Sequence, residues 1–323
     1  MYCRQAALIG SFVAIAILAG AAAAQSYPSR PIRLVLNVGT GGVGDVTNRV
    51  VAQQMSRGLG QQIVVDNRPS AGGTAAATAV ANAAPDGYTL LQTGNAGAIS
   101  ATLFKKLPYD VVRDFTQVST IGFFELVMLA TPESRFASLA DVIGYARKNA
   151  GKLNVGTINV GSTQFLAAEM LKSMAGINFQ IVPFKSNTLL FTALRGNELP
   201  VAFEMVGPAL THIRSGHLKA IAVGSDRRYA GLPQVPTIAE SGVPGFIVYS
   251  WTGLSVPART PRAIVDRLAH EAAAAVAVPE VKQKLHELGI EARASTPEET
   301  RKMMISDIAK WKAVIERAGI ERQ

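Results

Sequence analysis

Short runs of aliphatic and branched residues alternate along this chain with stretches whose apolar residues recur at helical spacing, and that alternation restricts the fold more than any other feature. Residues 31–38 read as a buried strand. After them, residues 45–58 place Val46, Val50, Val51 and Met55 on one helical face. Further strands are expected at 62–65, 88–92, 126–130, 153–156, 181–184, 201–204 and 220–223. Helices are expected at 74–83, 141–149, 162–174, 188–194 and 210–214. Strands that alternate with helices predict an α/β protein built from parallel strands and crossover helices. No fixed period recurs, which excludes a solenoid or propeller. The last sixty residues differ, with helices expected at 262–276 (Thr260 and Pro261 at its start), at 279–288, and after the capping box Thr296-Pro297-Glu298-Glu299. Met303, Met304 and Trp311 fall on the inner stripe of that last helix and are expected to pack rather than to hold a cofactor.

The first 24 residues stand outside this pattern. Arg4 precedes an uncharged apolar stretch that closes on Ala22-Ala23-Ala24, the layout of an export signal cleaved after Ala24. Its alanine- and glycine-rich second half favours cleavage over a retained anchor. The only cysteine of the 323 residues, Cys3, lies in this segment, so the mature chain is expected to hold together without disulfides. With 32 Lys plus Arg against 23 Asp plus Glu, the net charge is +9. The basic residues are scattered singly or in pairs, with no basic run, which argues against nucleic acid and for a mild bias towards anionic ligands.

Two glycine-rich joins carry the candidate chemistry. Gly39, Gly41 and Gly44 form a G-x-G-x-x-G between a strand and a helix, and Asp66 ends the next strand. Formally this is a dinucleotide fingerprint. However, Asp45 sits at the helix start where a pyrophosphate needs positive potential, and export removes the chain from a nicotinamide pool. The N–H groups of such a loop suit a carboxylate equally well. The second join runs from Gly156 to Thr163 and offers Thr157, Asn159, Gly161, Ser162 and Thr163, although an ordinary N-cap by Ser162 or Thr163 would explain one of those hydroxyls. An exported hydrolase lacks support, since there is no G-x-S-x-G elbow. The four histidines, at 212, 217, 270 and 286, show no metal spacing.

Several motifs in order resemble one family. They are the run from Tyr27 to Leu34, Gly41-Gly42 with Asp45, Val65-Asp-Asn-Arg-Pro-Ser-Ala-Gly-Gly73, Ala84-Pro-Asp-Gly-Tyr-Thr-Leu-Leu91, Leu107-Pro-Tyr-Asp110 with Asp114-Phe115, and Leu232-Pro-Gln-Val-Pro-Thr-Ile-Ala-Glu240. Together they resemble the periplasmic solute receptors of tripartite tricarboxylate transporters, the Bug or TctC-like family. The resemblance implies a two-lobed periplasmic-binding-protein fold (type II-like), with mixed central sheets flanked by helices and the ligand in the cleft between lobes. Lobe I would hold residues 25–127 plus 251–323 and lobe II residues 128–250. It implies ligand contacts at Thr40, Gly41 and Gly42, and at Thr157, Asn159, Gly161, Ser162 and Thr163. The chain departs from the family pattern at Asn37-Val38, at Phe165 where histidine is frequent, at Ser186, and at Glu204 where aspartate is frequent. Phe165 and Glu204 therefore join the candidate ligand-binding residues, and Phe165 with Met205 would suit a ligand with an apolar middle. No catalytic residue, metal or cofactor is expected. The function implied is a monomeric periplasmic receptor that captures a small organic carboxylate and hands it to membrane transporter subunits. A ligand sensor for a membrane kinase would have the same fold and ligand chemistry, and an exported NAD-dependent or hydrolytic enzyme is the alternative of a different class.

Overall fold

A computed structural model describes residues 27–323, so the export signal and its cleavage point lie outside the described residues. The alternation expected from sequence is present. β1 (Ile32–Leu36) leads into α1 (Val43–Leu59), β2 (Ile63–Asn67), α2 (Thr74–Ala81), β3 (Thr89–Gly94) and α3 (Asn95–Leu103). β4 (Phe115–Ala130) is followed by α4 (Leu139–Lys148), β5 (Asn154–Ile158), α5 (Thr163–Ala175), β6 (Gln180–Phe184), α6 (Asn187–Arg195), β7 (Val201–Met205), α7 (Val206–Arg214) and β8 (Lys219–Val223). β9 (Tyr249–Pro257), α8 (Arg262–Ala277), α9 (Pro279–Glu287), β10 (Ile290–Glu291) and α10 (Pro297–Ala318) complete the chain.

The sheet order is β2-β1-β3-β9-β4-β7-β5-β6, with β8 and β10 also pairing β4. The pairs β1–β2, β1–β3, β5–β6 and β5–β7 are parallel, as crossover helices require. Strands β4 and β9 run antiparallel to each other and to their other partners, so the sheet is mixed. β4 joins the two halves. Its first stretch, Phe115 to Glu125, pairs with β9, whereas Leu126 to Ala130 pairs with β7. The result is a two-lobed α/β molecule whose halves share one long strand.

Burial follows the sheet. One core gathers Leu34, Leu36, Val51, Met55, Leu90, Leu254 and Leu268 beneath the β1 half, and another gathers Val127, Leu190, Leu194, Leu199 and Leu210 beneath the β7 half. A further cluster crosses between them, since Trp311, Met304 and Ile315 of α10 pack with Leu103 of α3 and with Leu166 of α5. Met304 and Trp311 are buried, as packing residues should be, and Met303 lies partly buried against the same cluster. Thr296 accepts from the Glu299 N–H while the Glu299 carboxylate accepts from Thr296 N–H, so the capping box forms. Thr260 does not cap α8. Its hydroxyl donates to the Pro257 carbonyl instead, and the helix begins beyond Pro261.

Candidate functional site

A cavity of about 740 Å³ opens where the two halves of the sheet face each other. Five elements bring their N-terminal ends to it. α1 contributes Val43 and Gly44, the short 3₁₀ turn before α2 contributes Ala71 to Gly73, α3 contributes Ala96 and Ser100, α5 contributes Thr163 and Gln164, and Met205 stands at the start of α7. The first N–H groups of a helix have no acceptor inside it and carry the positive end of its dipole. Neither Gly42 before α1 nor Gly94 before α3 has a side chain that could cap, so the first N–H groups of both helices carry no side-chain cap. The contrast is with α4 and α10, which begin away from the cavity and close their first turns with full capping boxes.

No lysine, arginine, histidine, aspartate or glutamate lines this cavity among the described residues. Its polar groups are amides, hydroxyls and backbone, and its apolar wall is built by Ile99, Leu103, Phe104, Phe124, Met205 and Trp251. Such a site neutralises one negative group by dipoles and hydrogen bonds and surrounds the remainder of the ligand with apolar surface. The floor comes from β9, whose Trp251 and Thr252 lie against the end of β3. A Cβ at Gly94 would stand 2.3 Å from the Trp251 carbonyl, so only glycine lets these backbones approach.

The sequence candidates divide sharply. Asn159, Gly161, Ser162 and Thr163 all line the cavity. Asn159 holds a positive φ of 24°, and the loop folds so that its carbonyl accepts the Ser162 N–H. The Ser162 hydroxyl is committed to its own helix, donating to the Ile158 carbonyl and accepting from Phe165 N–H, so it serves as the N-cap. Thr163 accepts the Asn95 amide at 2.7 Å, a bond that reaches across the cleft.

Thr40, Gly41 and Gly42 do not line the cavity; all three are solvent-exposed. The reason is Asp45, whose carboxylate turns back to accept the Gly41 N–H at 2.9 Å and so takes the place expected for a bound anion. Burial opposes ionisation of Asp45, but hydrogen bonds from Arg49, Gly41 and Asn67 outweigh it and hold the carboxyl below its usual range. The same contact removes the dinucleotide reading of this loop. Phe165 also lies away from the cavity wall, because its position in α5 turns the ring into the core shared with Leu166 and Trp311. Thr157 is fully buried in β5 with no partner for its hydroxyl, behind the wall rather than on it.

Glu204 is likewise enclosed. It is fully buried at the end of β7, where Oε1 accepts from Gln164 Nε2 and from Met205 N–H, both at 2.7 Å, while Oε2 has no partner. Burial pushes its carboxyl up to about 7. It meets the cavity wall through Gln164 and Met205. Sequence reasoning missed Trp251, Phe104, Phe124 and the whole start of α3. Asn95 at that start is fully buried, receiving the Trp311 indole N–H at 2.7 Å while donating to Thr163. No group of three or more metal-ligating side chains occurs among the described residues.

Comparison with known proteins fits this geometry. Residues 47–320 match the tripartite tricarboxylate transporter family receptor. The chain belongs to that family. Among solved structures it is similar to the periplasmic binding protein BugD, 30% identical with a TM-score of 0.76, the alignment covering 92% of this chain and 100% of BugD. A Rhodopseudomonas palustris protein solved with adipate is 31% identical with a TM-score of 0.78, covering 91% and 99%. MatC of the same organism, solved with bound malate, is 30% identical with a TM-score of 0.75, covering 90% and 100%. Members of this receptor family are periplasmic binding proteins and not enzymes, and the two-lobed fold described above is theirs. No helix among the described residues is long and apolar enough to cross a membrane.

Proposed function

We propose that this receptor captures a small organic carboxylate in the cleft between its lobes and delivers it to the membrane subunits of a tripartite tricarboxylate-type transporter. The observation that carries the reading is the cavity wall, on which the N-terminal ends of α1, α3 and α5 meet and no side chain bears a charge. A carboxylate is the group such N–H clusters hold best in the absence of cations. The relatives with adipate and malate support the same class. Here the aromatic and aliphatic walls, Phe104, Phe124 and Trp251 among them, favour a carboxylate with an apolar body over a compact, fully polar one. In this reading the chain is exported, loses its first 24 residues, and works in the periplasm as a monomer. Lobe I is 25–127 plus 251–323 and lobe II is 128–250. The change of partner along β4 between Glu125 and Leu126 supports that division.

Calorimetric titration of ligand-free protein against mono- and dicarboxylates of increasing chain length tests the reading. Saturable micromolar or tighter binding to at least one of them is the expected result. A folded protein that is silent to the whole series overturns it.

A further inference from the structure

We infer that the lobe II side of the cleft recognises a hydrogen-bond donor on the ligand through the carbonyl oxygen of Gln164, and that Glu204 is the positioning residue that fixes this oxygen's orientation. The inference rests on the carboxylate-receptor reading and deepens it. The captured carboxylate carries a hydroxyl or amide N–H in addition to its charged end.

Gln164 is the second residue of α5, is only 5% exposed, and borders the cavity. Its side chain has one face that donates and one that accepts. The Nε2 end lies 2.7 Å from Glu204 Oε1, and that same oxygen accepts the Met205 backbone N–H at 2.7 Å. A backbone N–H can only donate, so Glu204 Oε1 accepts from Met205, and as a carboxylate oxygen it can do nothing but accept. Reversing the Gln164 amide would set two acceptors against each other at contact distance. The NH₂ group is therefore directed to Glu204, which leaves Oε1 with no donor among the described residues.

The neighbouring groups sharpen the contrast. The Ser162 hydroxyl is committed to its own helix, Thr163 is occupied by Asn95, and the helix starts around them offer N–H donors. Gln164 is thus an acceptor set among donors. A ligand carboxylate is held by the donors and repelled by Gln164 Oε1, while a neutral O–H or N–H elsewhere on the ligand completes the pair. A ligand without that donor leaves a nearly buried carbonyl unpaired, the situation in which polar recognition discriminates most.

The test uses ligand-free protein titrated with hexanoate, with its 2-, 3- and 6-hydroxy derivatives, and with the monoamide of adipic acid. At least one donor-bearing compound is expected to bind about tenfold more tightly than hexanoate. In Gln164→Met, which keeps length but has no acceptor, that advantage over hexanoate should shrink to within about twofold. Glu204→Gln retains a carbonyl oxygen for Met205 and Gln164 and should keep the preference, whereas Glu204→Leu should lose it. Binding of hexanoate with no preference for any donor-bearing compound overturns this inference alone, as does a preference that survives in Gln164→Met. Silence towards every carboxylate overturns the receptor reading and this inference with it.

Discussion

Two buried carboxyls, Glu204 and Glu125, form no ion pair among the described residues. Glu204 is enclosed at the end of β7. Glu125 lies 6% exposed on β4 with Oε2 unpartnered, and burial, together with the nearby charges of Glu291 and Asp226, pushes it up to about 7 against the weaker help of Ser225 and Arg227. A carboxyl raised on folding binds more protons in the native than in the unfolded state between its ordinary range and that raised value. Its stabilising contribution is therefore present at low pH and is lost as pH rises through this window. Asp45, Asp66 and Asp110 are shifted the other way, so their contribution is lost only as pH falls below the ordinary carboxylate range. The thermal midpoint should accordingly fall by about 5 °C between pH 5 and pH 8. The double variant Glu125→Gln/Glu204→Gln should remove at least half of that slope in a calorimetric scan. A midpoint that rises over the same window would contradict the assignment.

At the scale of elements, what could be read in the sequence was what local periodicity and caps encode. The Thr296–Glu299 box and the inner stripe of α10 are written in consecutive residues and form as read. β4 was read only from Leu126 onward. Its earlier part contains Gln117, Ser119 and Thr120, which look like loop but are buried, with the hydroxyls of Ser119 and Thr120 bonded to Ser295 and to the Arg293 carbonyl. Helix α3, Asn-Ala-Gly-Ala-Ile-Ser-Ala-Thr-Leu, has no amphipathic period because it packs on several sides, against α5, α10 and β3. The candidate site suffered the same way. The α5 loop was visible in a single motif, but the lobe I wall is assembled from the ends of β3, α3 and β9, which no local pattern joins. Long-range packing, not capping, should therefore dominate the stability of the last helix. Thr296→Ala is expected to cost about 1 kcal/mol. Trp311→Ala removes a fully buried ring and strands the Asn95 carbonyl, and should cost about 3–5 kcal/mol. Urea unfolding monitored by far-UV circular dichroism separates the two, and equal effects would refute this account.

For the whole molecule, the question is what holds the two lobes in the arrangement seen. The sheet connects them through β4, which pairs with β9 in one half and with β7 in the other. Across the cleft the lobes also meet in the cluster that Trp311, Met304 and Ile315 of α10 form with Leu103 of α3 and Leu166 of α5. Gly161, with φ +80°, lies so close to Leu103 of the other lobe that a Cβ would come within 2.5 Å of its methyl group. Beside it, Asn95 donates to Thr163, and Asn95 is itself fixed by Trp311. This chain of bonds ties α10 and α3 of one lobe to the start of α5 in the other. A double-mutant cycle isolates it. Asn95→Ala and Thr163→Val should each weaken binding of the best carboxylate by about five- to tenfold, and the double variant should bind no worse than the weaker single one. Small-angle scattering should show the loaded Thr163→Val protein nearer in radius of gyration to its empty form than the unmodified receptor is. If the two losses simply add, the bond contributes nothing across the cleft, and closure must then be held by the ligand alone.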